Sequence, residues 1–163
     1  MSPTMKMFDA EHPMRVFVSG SSALTELTPE MQTALDEMMA KKVQFLIGDC
    51  YGADELAQRY LKAKGYEDVI VYCSQEKPHA RRICYDRVKS LWDKAKGKTG
   101  EEFYQVKDAA MTEDCDVALA FWNGTSYGVK CNIERCKKLG KPCKVFMTPL
   151  FQKSKETTPT NFV

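Results

Sequence analysis

The chain has 163 residues, enough for one domain with a sizeable buried core. Lysine and arginine number 24 against 22 aspartate and glutamate, and a surplus of 2 excludes bulk attraction to nucleic acid or membrane as the organising feature. Seven cysteines, an odd number with no Cys-x-x-Cys pair, argue for reduced structural thiols over a disulfide framework or a metal site. No apolar run of about 18 residues and no signal-peptide pattern is present, so a cytoplasmic protein with no membrane partner is expected.

Met1 to Pro13 mixes Met, Pro, Thr and charge without periodicity and reads as a poorly ordered lead-in containing the isolated His12. Arg15 to Gly20 reads as a first short strand, running into the small-residue loop Gly20-Ser21-Ser22. Thr28 and Pro29 then supply a cap and a first turn, and Met31, Leu35, Met38 and Met39 repeat at helical spacing through Lys42. An apolar stripe of that period belongs to a core.

Val43 to Ile47 is a run of five suited to a strand buried on both faces. It stops in the glycine-punctuated acidic turn Gly48-Asp49-Cys50-Tyr51-Gly52, and a helix follows from Asp54 to Lys64, closed by Gly65. The unpaired N–H groups at that helix start make the turn a place to hold an anion. A third strand spans Asp68 to Tyr72, after which regularity lapses.

Residues 73–100 form an irregular and basic excursion with the isolated His79, in which Ile83, Val88, Leu91, Trp92 and Ala95 predict a helix over Ala80 to Lys96. Its stretch from Lys77 to Lys98 carries eight cations against Asp86 and Asp93. A helix from Glu101 to about Glu113 leads to a fourth strand, Asp116 to Phe121, and to the loop Trp122-Asn123-Gly124-Thr125-Ser126-Tyr127-Gly128. Helix Val129 to Leu139, closed by Gly140, precedes a last strand, Cys143 to Met147. Cys131 and Cys136, five apart on that helix, do not share a face as a metal pair would need. A polar tail occupies residues 149–163.

Strands alternating with helices predict an α/β domain over residues 14–148, an open, mainly parallel sheet of about five strands between two helical layers. Ligands in that architecture sit outside the carboxyl ends of the strands, where all three small-residue turns should converge. Such convergence favours a nucleotide-like ligand over a bland loop surface.

Val18-Ser19-Gly20-Ser21, Gly48-Asp49-x-x-Gly52-Ala53-Asp54, the pair Lys107-Asp108 ahead of Ala110-Met111, Trp122-x-Gly124-x-Ser126-x-Gly128 and Gly140-Lys141-Pro142 together resemble the SLOG superfamily of Rossmann-like proteins. That superfamily includes the DNA-processing protein DprA, the LOG-type phosphoribohydrolases and, more distantly, nucleoside deoxyribosyltransferases. The likeness runs from Arg15 to Met147 and is greatest to small bacterial and phage members. It implies a nucleotide or nucleotide-derived ligand, no further cofactor, and pairing into a homodimer. Ser19, Gly20, Ser21, Gly48, Asp49, Gly52 and Asp54 would line the first two loops, and Lys107 would face a phosphate as a point charge beside Asp108. Gly124, Thr125, Ser126 and Gly128 would line the third loop, at a helix N-terminus suited to an anion.

One departure bears on chemistry. Relatives that cleave a glycosidic bond carry a carboxylate eight residues before the glycine of Gly140-Lys141-Pro142, and here that position is Asn132, which can bind a ribose but not attack it. Glu134, two positions on, turns about 200° away. Asp49 and Asp54 read as binding or structural groups, Asp54 as a helix cap and Asp49 as a ribose partner or turn tie.

The leading expectation is therefore non-catalytic binding of a small nucleotide, with a base slot walled by Trp122 or Tyr51. The alternative is an enzyme acting at the N-glycosidic bond through Glu134 or Asp49. A third reading is single-stranded nucleic-acid binding through the basic excursion.

Overall fold

A computed structural model of the protein describes residues 12–148. Apart from His12 and Pro13, the expected lead-in and the tail lie outside the described residues.

The chain alternates strands and helices: β1 (Arg15–Gly20), α1 (Pro29–Ala40), β2 (Gln44–Gly48), α2 (Ala53–Ala63), β3 (Val69–Cys73), a 3-10 turn (Ala80–Arg82), β4 (Val88–Ser90), α3 (Trp92–Ala95), α4 (Gly100–Asp114), β5 (Val117–Trp122), α5 (Tyr127–Leu139) and β6 (Cys143–Met147). The strands form one parallel sheet in the order β4-β3-β2-β1-β5-β6. This is a Rossmann-like α/β fold. Parallel neighbours cannot be joined by hairpins, which is why helices intervene between most of them.

Alternation along the strands sorts the side chains into two cores. Val16, Val18, Phe45, Ile47, Val71 and Leu119 pack on one face against Met31 and Leu35 of α1 and Ala57 and Leu61 of α2. Phe17, Leu46, Tyr72 and Ala118 point the other way, towards Met111 of α4 and Cys136 of α5. Helix α1 starts as the sequence predicts, with the Thr28 hydroxyl accepting from the Met31 N–H at 3.2 Å and Pro29 in the first turn. It ends before the expected Lys42, which adopts a left-handed φ of 57° and turns the chain into β2.

The excursion corrects the expectation. No helix spans residues 80–96; the segment instead gives the 3-10 turn, the sixth strand β4 and the four-residue α3. The open edge of β3 explains this. Its backbone groups need partners, and they find them as Val71 N–H donates to Arg87 O at 2.9 Å and Leu91 N–H to Cys73 O at 2.8 Å. Apolar periodicity cannot register this non-local pairing. Tyr85 is buried instead of lying along a helix, its hydroxyl donating to Tyr66 O at 2.7 Å.

The carboxyl ends of β1, β2 and β5 are stitched together at Ser21. Its N–H donates to Phe121 O at 2.9 Å, its carbonyl accepts from Ala53 N–H at 3.1 Å, and its hydroxyl oxygen accepts from Asn123 N–H at 3.0 Å. Gly52 is forced by this closeness: its φ is +74°, and a Cβ there would sit 2.5 Å from Ser21 O. Gly65 has a similar φ of +77° with open space around it. Gly52→Ala is therefore expected to cost about 2–4 kcal/mol, strain plus overlap, and Gly65→Ala only about 1 kcal/mol. Urea titration of the two variants measures the difference, and equal costs would mean that Ser21 is not a tight junction.

Candidate functional site

Strand order reverses direction between β1 and β5, the place where an open α/β sheet leaves a crevice. A cavity of about 290 Å³ lies there. Ser19, Gly20 and Ser22 border it from the β1 loop, Cys50 and Asp54 from the β2 turn and α2, Lys107 and Asp108 from α4, and Ser126, Gly128 and Asn132 from the third loop and α5.

At its base one cation meets two carboxyl groups. Lys107 Nζ is 3.2 Å from Asp108 Oδ1, with the lysine side chain 4% exposed. Asp54 Oδ2 accepts from Cys50 N–H at 3.1 Å. Gly48 leaves the room this requires, since a Cβ there would lie 2.6 Å from Asp54 Oδ2 and 3.0 Å from Lys107 Cε. Burial pushes Asp54 from its ordinary 3.8 up to about 7, with Lys107 opposing and Asp108 reinforcing the rise. Burial by itself would lower Lys107, but Asp108, Cys50 and Asp54 outweigh it and hold the ammonium above its ordinary value. Desolvation also raises the Cys50 thiol to about 12, so it is no nucleophile at neutral pH.

Asn132 is fixed from both ends. Its amide nitrogen donates to Asp108 Oδ2 at 3.3 Å, and its carbonyl oxygen accepts from Arg135 Nη1 at 2.7 Å. Lys107, Asp108, Asn132 and Arg135 thus form one chain of polar contacts along α4 and α5. The N–H groups of Tyr127, Gly128 and Val129 at the start of α5 have no intrahelical acceptor, and these residues border the same cavity.

Other expected site residues serve the walls. Ser21 is fully buried in its junction, and Gly52 packs against it. Asp49 does not border the cavity: its Oδ2 accepts from His79 N–H at 3.0 Å, tying the β2 turn to the excursion. Asp54 does not cap α2, whose N-cap is Gly52 with no side-chain cap. Trp122 donates from Nε1 to Ser126 O at 3.0 Å, and Asn123 Oδ1 gathers Thr125 and Ser126 N–H at 2.9 Å each, so Trp122, Gly124 and Thr125 brace the third loop outside the cavity. Glu134 is exposed on α5 and away from it. His12 Nδ1 lies 3.0 Å from Pro13 O, also away from the cavity.

Sequence reasoning missed the rim. Tyr104 and Tyr127 border the cavity while 51% and 60% exposed. Tyr51, which the sequence reading offers as a wall of the base slot, does not border the cavity, and the Arg82 guanidinium lies 3.4 Å from the centre of its ring. The available signals were the three-residue step from Tyr104 to Lys107 on one helix and the aromatic between Ser126 and Gly128.

The fold has a known counterpart. The chain is similar to a solved structure of DNA processing protein A from Helicobacter pylori, with a TM-score of 0.64 at 17% identity, over 86% of this chain and 68% of that one. That structure describes the single-stranded DNA binding mode of DNA processing protein A. No protein-family model and no curated protein matches the chain. Among the described residues no three His, Cys, Asp or Glu side chains gather as a metal site would need, and no helix is long and apolar enough to cross a membrane.

Asp54 yields a pH prediction. Its folded value lies above its unfolded one, so the folded protein holds an extra proton between about pH 4 and pH 7. The contribution to stability is full below that window, falls as pH rises through it, and is level above it. Asp54→Asn keeps an acceptor for Cys50 N–H and removes the titration. Urea midpoints measured across the window should decline less in the variant than in the parent, and parallel declines would place Asp54 in water.

Proposed function

We propose that the cavity binds one nucleotide unit and does not cleave it. The free N–H groups of the first turn of α5 suit a phosphate, and the Asp108–Asn132 pair suits sugar hydroxyls. Tyr104 or Tyr127 suits the face of a base. The observation that carries the reading is that these three recognition elements border one hollow of about 290 Å³ at the strand crossover.

The charges around the cavity support binding without cleavage. Breaking an N-glycosidic bond builds positive charge on the sugar, and a carboxylate is needed to meet it. Asn132 is neutral and held by Arg135, Asp108 is matched by Lys107, Glu134 lies outside, and Glu101, the other carboxylate bordering the cavity, is solvent-exposed and accepts from Gln105 Nε2 at 3.3 Å. Asp54 carries a proton below about pH 7. Its charge above that pH works against an anionic ligand.

A second reading has the same unit presented by a strand of DNA. It is supported by the shared fold with DNA processing protein A and by the two exposed tyrosines that border the cavity, Tyr104 and Tyr127, since base stacking on aromatics is tolerant of sequence.

Calorimetric titration with nucleoside 5′-monophosphates is expected to show binding that weakens as pH rises from about 7 to about 8, above the second ionisation of the ligand's phosphate, and weakens less in Asp54→Asn. Asn132→Ala should weaken it by about tenfold, the loss of hydrogen bonds to a buried partner, while Glu134→Gln should leave it unchanged. Chromatography of the same mixtures should find no free base. Release of base that disappears in Asp54→Asn would make the protein an N-glycosidase instead.

A further inference from the structure

Away from the cavity, three cysteines meet beneath the last crossover of the chain. Cys115 just after α4, Cys136 on α5 and Cys143 at the start of β6 pack on one core with Met111 and Ala118. Cys115 and Cys136 are each 1% exposed, whereas Cys143 reaches solvent in part.

The turn between α5 and β6 brings two of them together. Gly140 closes the helix with a left-handed φ of 70°, Lys141 N–H donates back to Cys136 O at 2.8 Å, and Pro142 O accepts from Ala118 N–H at 2.9 Å. The chain thus doubles back at once, and strand pairing sets Cys143 beside Ala118, in the core that Cys136 fills. Lys141 Nζ donates to Glu113 O at 2.7 Å and to Cys115 O at 2.6 Å, which staples the same turn to the end of α4.

The Cys143 thiol is hydrogen-bonded to the Cys136 sulfur. That bond, helped against burial by Lys141 and Arg135, brings Cys136 down from its ordinary 9.0 to about 7, and it raises Cys143. The pair therefore gives up one proton near neutrality and keeps the other between its sulfurs. Burial does the opposite at Cys50 and Cys115, which are pushed up to about 12 and about 11.

We propose that Cys136 and Cys143 form a reversible oxidation site, which a hydroperoxide closes into a disulfide between α5 and β6. One sulfur is open to solvent, the other lies behind it, and a short turn holds them together. Cys143 attacks one peroxide oxygen and passes its proton to the Cys136 thiolate, while the O–O bond breaks and hydroxide leaves. The Cys136 sulfur then attacks the Cys143 sulfenic acid. The S–S bond forms, the S–O bond breaks, and the departing hydroxide takes the Cys136 proton as water. Two electrons have passed from the sulfurs to the peroxide. A small thiol reopens the bond by exchange. This site does not depend on what the cavity binds.

The test treats the full chain, reduced and then freed of reductant, with hydrogen peroxide, blocks the remaining thiols by alkylation and maps the tryptic fragments by mass. Trypsin cuts after Arg135, Lys137 and Lys138 but not between Lys141 and Pro142, so Cys136 and Cys143 fall on separate fragments. The expected product is these two fragments joined, lighter than their sum by two hydrogens, and lost on adding dithiothreitol. Cys143→Ser, at a partly exposed position, should abolish it, with folding checked by circular dichroism. Cys131→Ser, on the same helix, should leave it unchanged. Absence of the joined fragments from the parent, or links among other cysteines formed as readily, would overturn the site. So would conversion of Cys143 to its sulfinic acid with no link to Cys136.

Discussion

Everything at the carboxyl rim of the sheet depends on the convergence of three strand ends on Ser21. Three backbone bends cannot approach one another closely unless their polar groups are satisfied by one another, because water is excluded from the junction. Ser21 supplies an amide donor, a carbonyl acceptor and a hydroxyl acceptor to three different segments, and it is fully buried. Gly20 belongs to the same contact, since a Cβ there would meet Ala53 and the Phe121 carbonyl. With the bends joined at Ser21, the third loop ahead of α5 and the start of α2 are tied to the same junction.

The base of the cavity obeys a second constraint, the cost of burying charge. One ammonium and two carboxyl groups share the space, so at most one carboxylate is matched by the cation. Asp108 is the matched one by contact, and Asp54 responds by holding its proton up to about 7. The consequence is a site whose net charge changes near neutrality. Lys107 therefore acts chiefly as an internal counter-ion, a different role from the phosphate partner that its motif implies. In the nucleotide complex we propose, the attraction for phosphate falls instead to backbone N–H groups, whose partial charge does not titrate.

How far this was legible in the sequence differs by element. β1, β2, β3, β5 and β6, and the helices α1, α2, α4 and α5, announce themselves through apolar runs, capping residues and glycines, all local signals. β4 does not, because Val88–Ser90 is a strand only by virtue of the open edge of β3 beside it. The same distinction governs the site. Asp54, Lys107, Asp108 and Asn132 stand in recognisable motifs and lie in the cavity. Asp49, Trp122 and Thr125 stand in motifs too, but their hydrogen-bonding groups go to His79, Ser126 and Asn123. Only the folded chain decides that competition. Tyr104 and Tyr127 carry weaker signals, since a single exposed aromatic on a helix has no period and only its spacing from a motif residue points to it.

Asn132 joins these arguments. A carboxylate at that position would face Arg135, which already binds the Asn132 oxygen at 2.7 Å, and would crowd Asp108, which accepts from the Asn132 nitrogen at 3.3 Å. An amide satisfies both neighbours at once, donating to the acid and accepting from the base, with no third negative charge beside Asp54 and Asp108. In a hollow holding a single buried cation, an amide is the better-matched group. The absence of a carboxylate at position 132 and the satisfaction of the buried network are thus one physical choice.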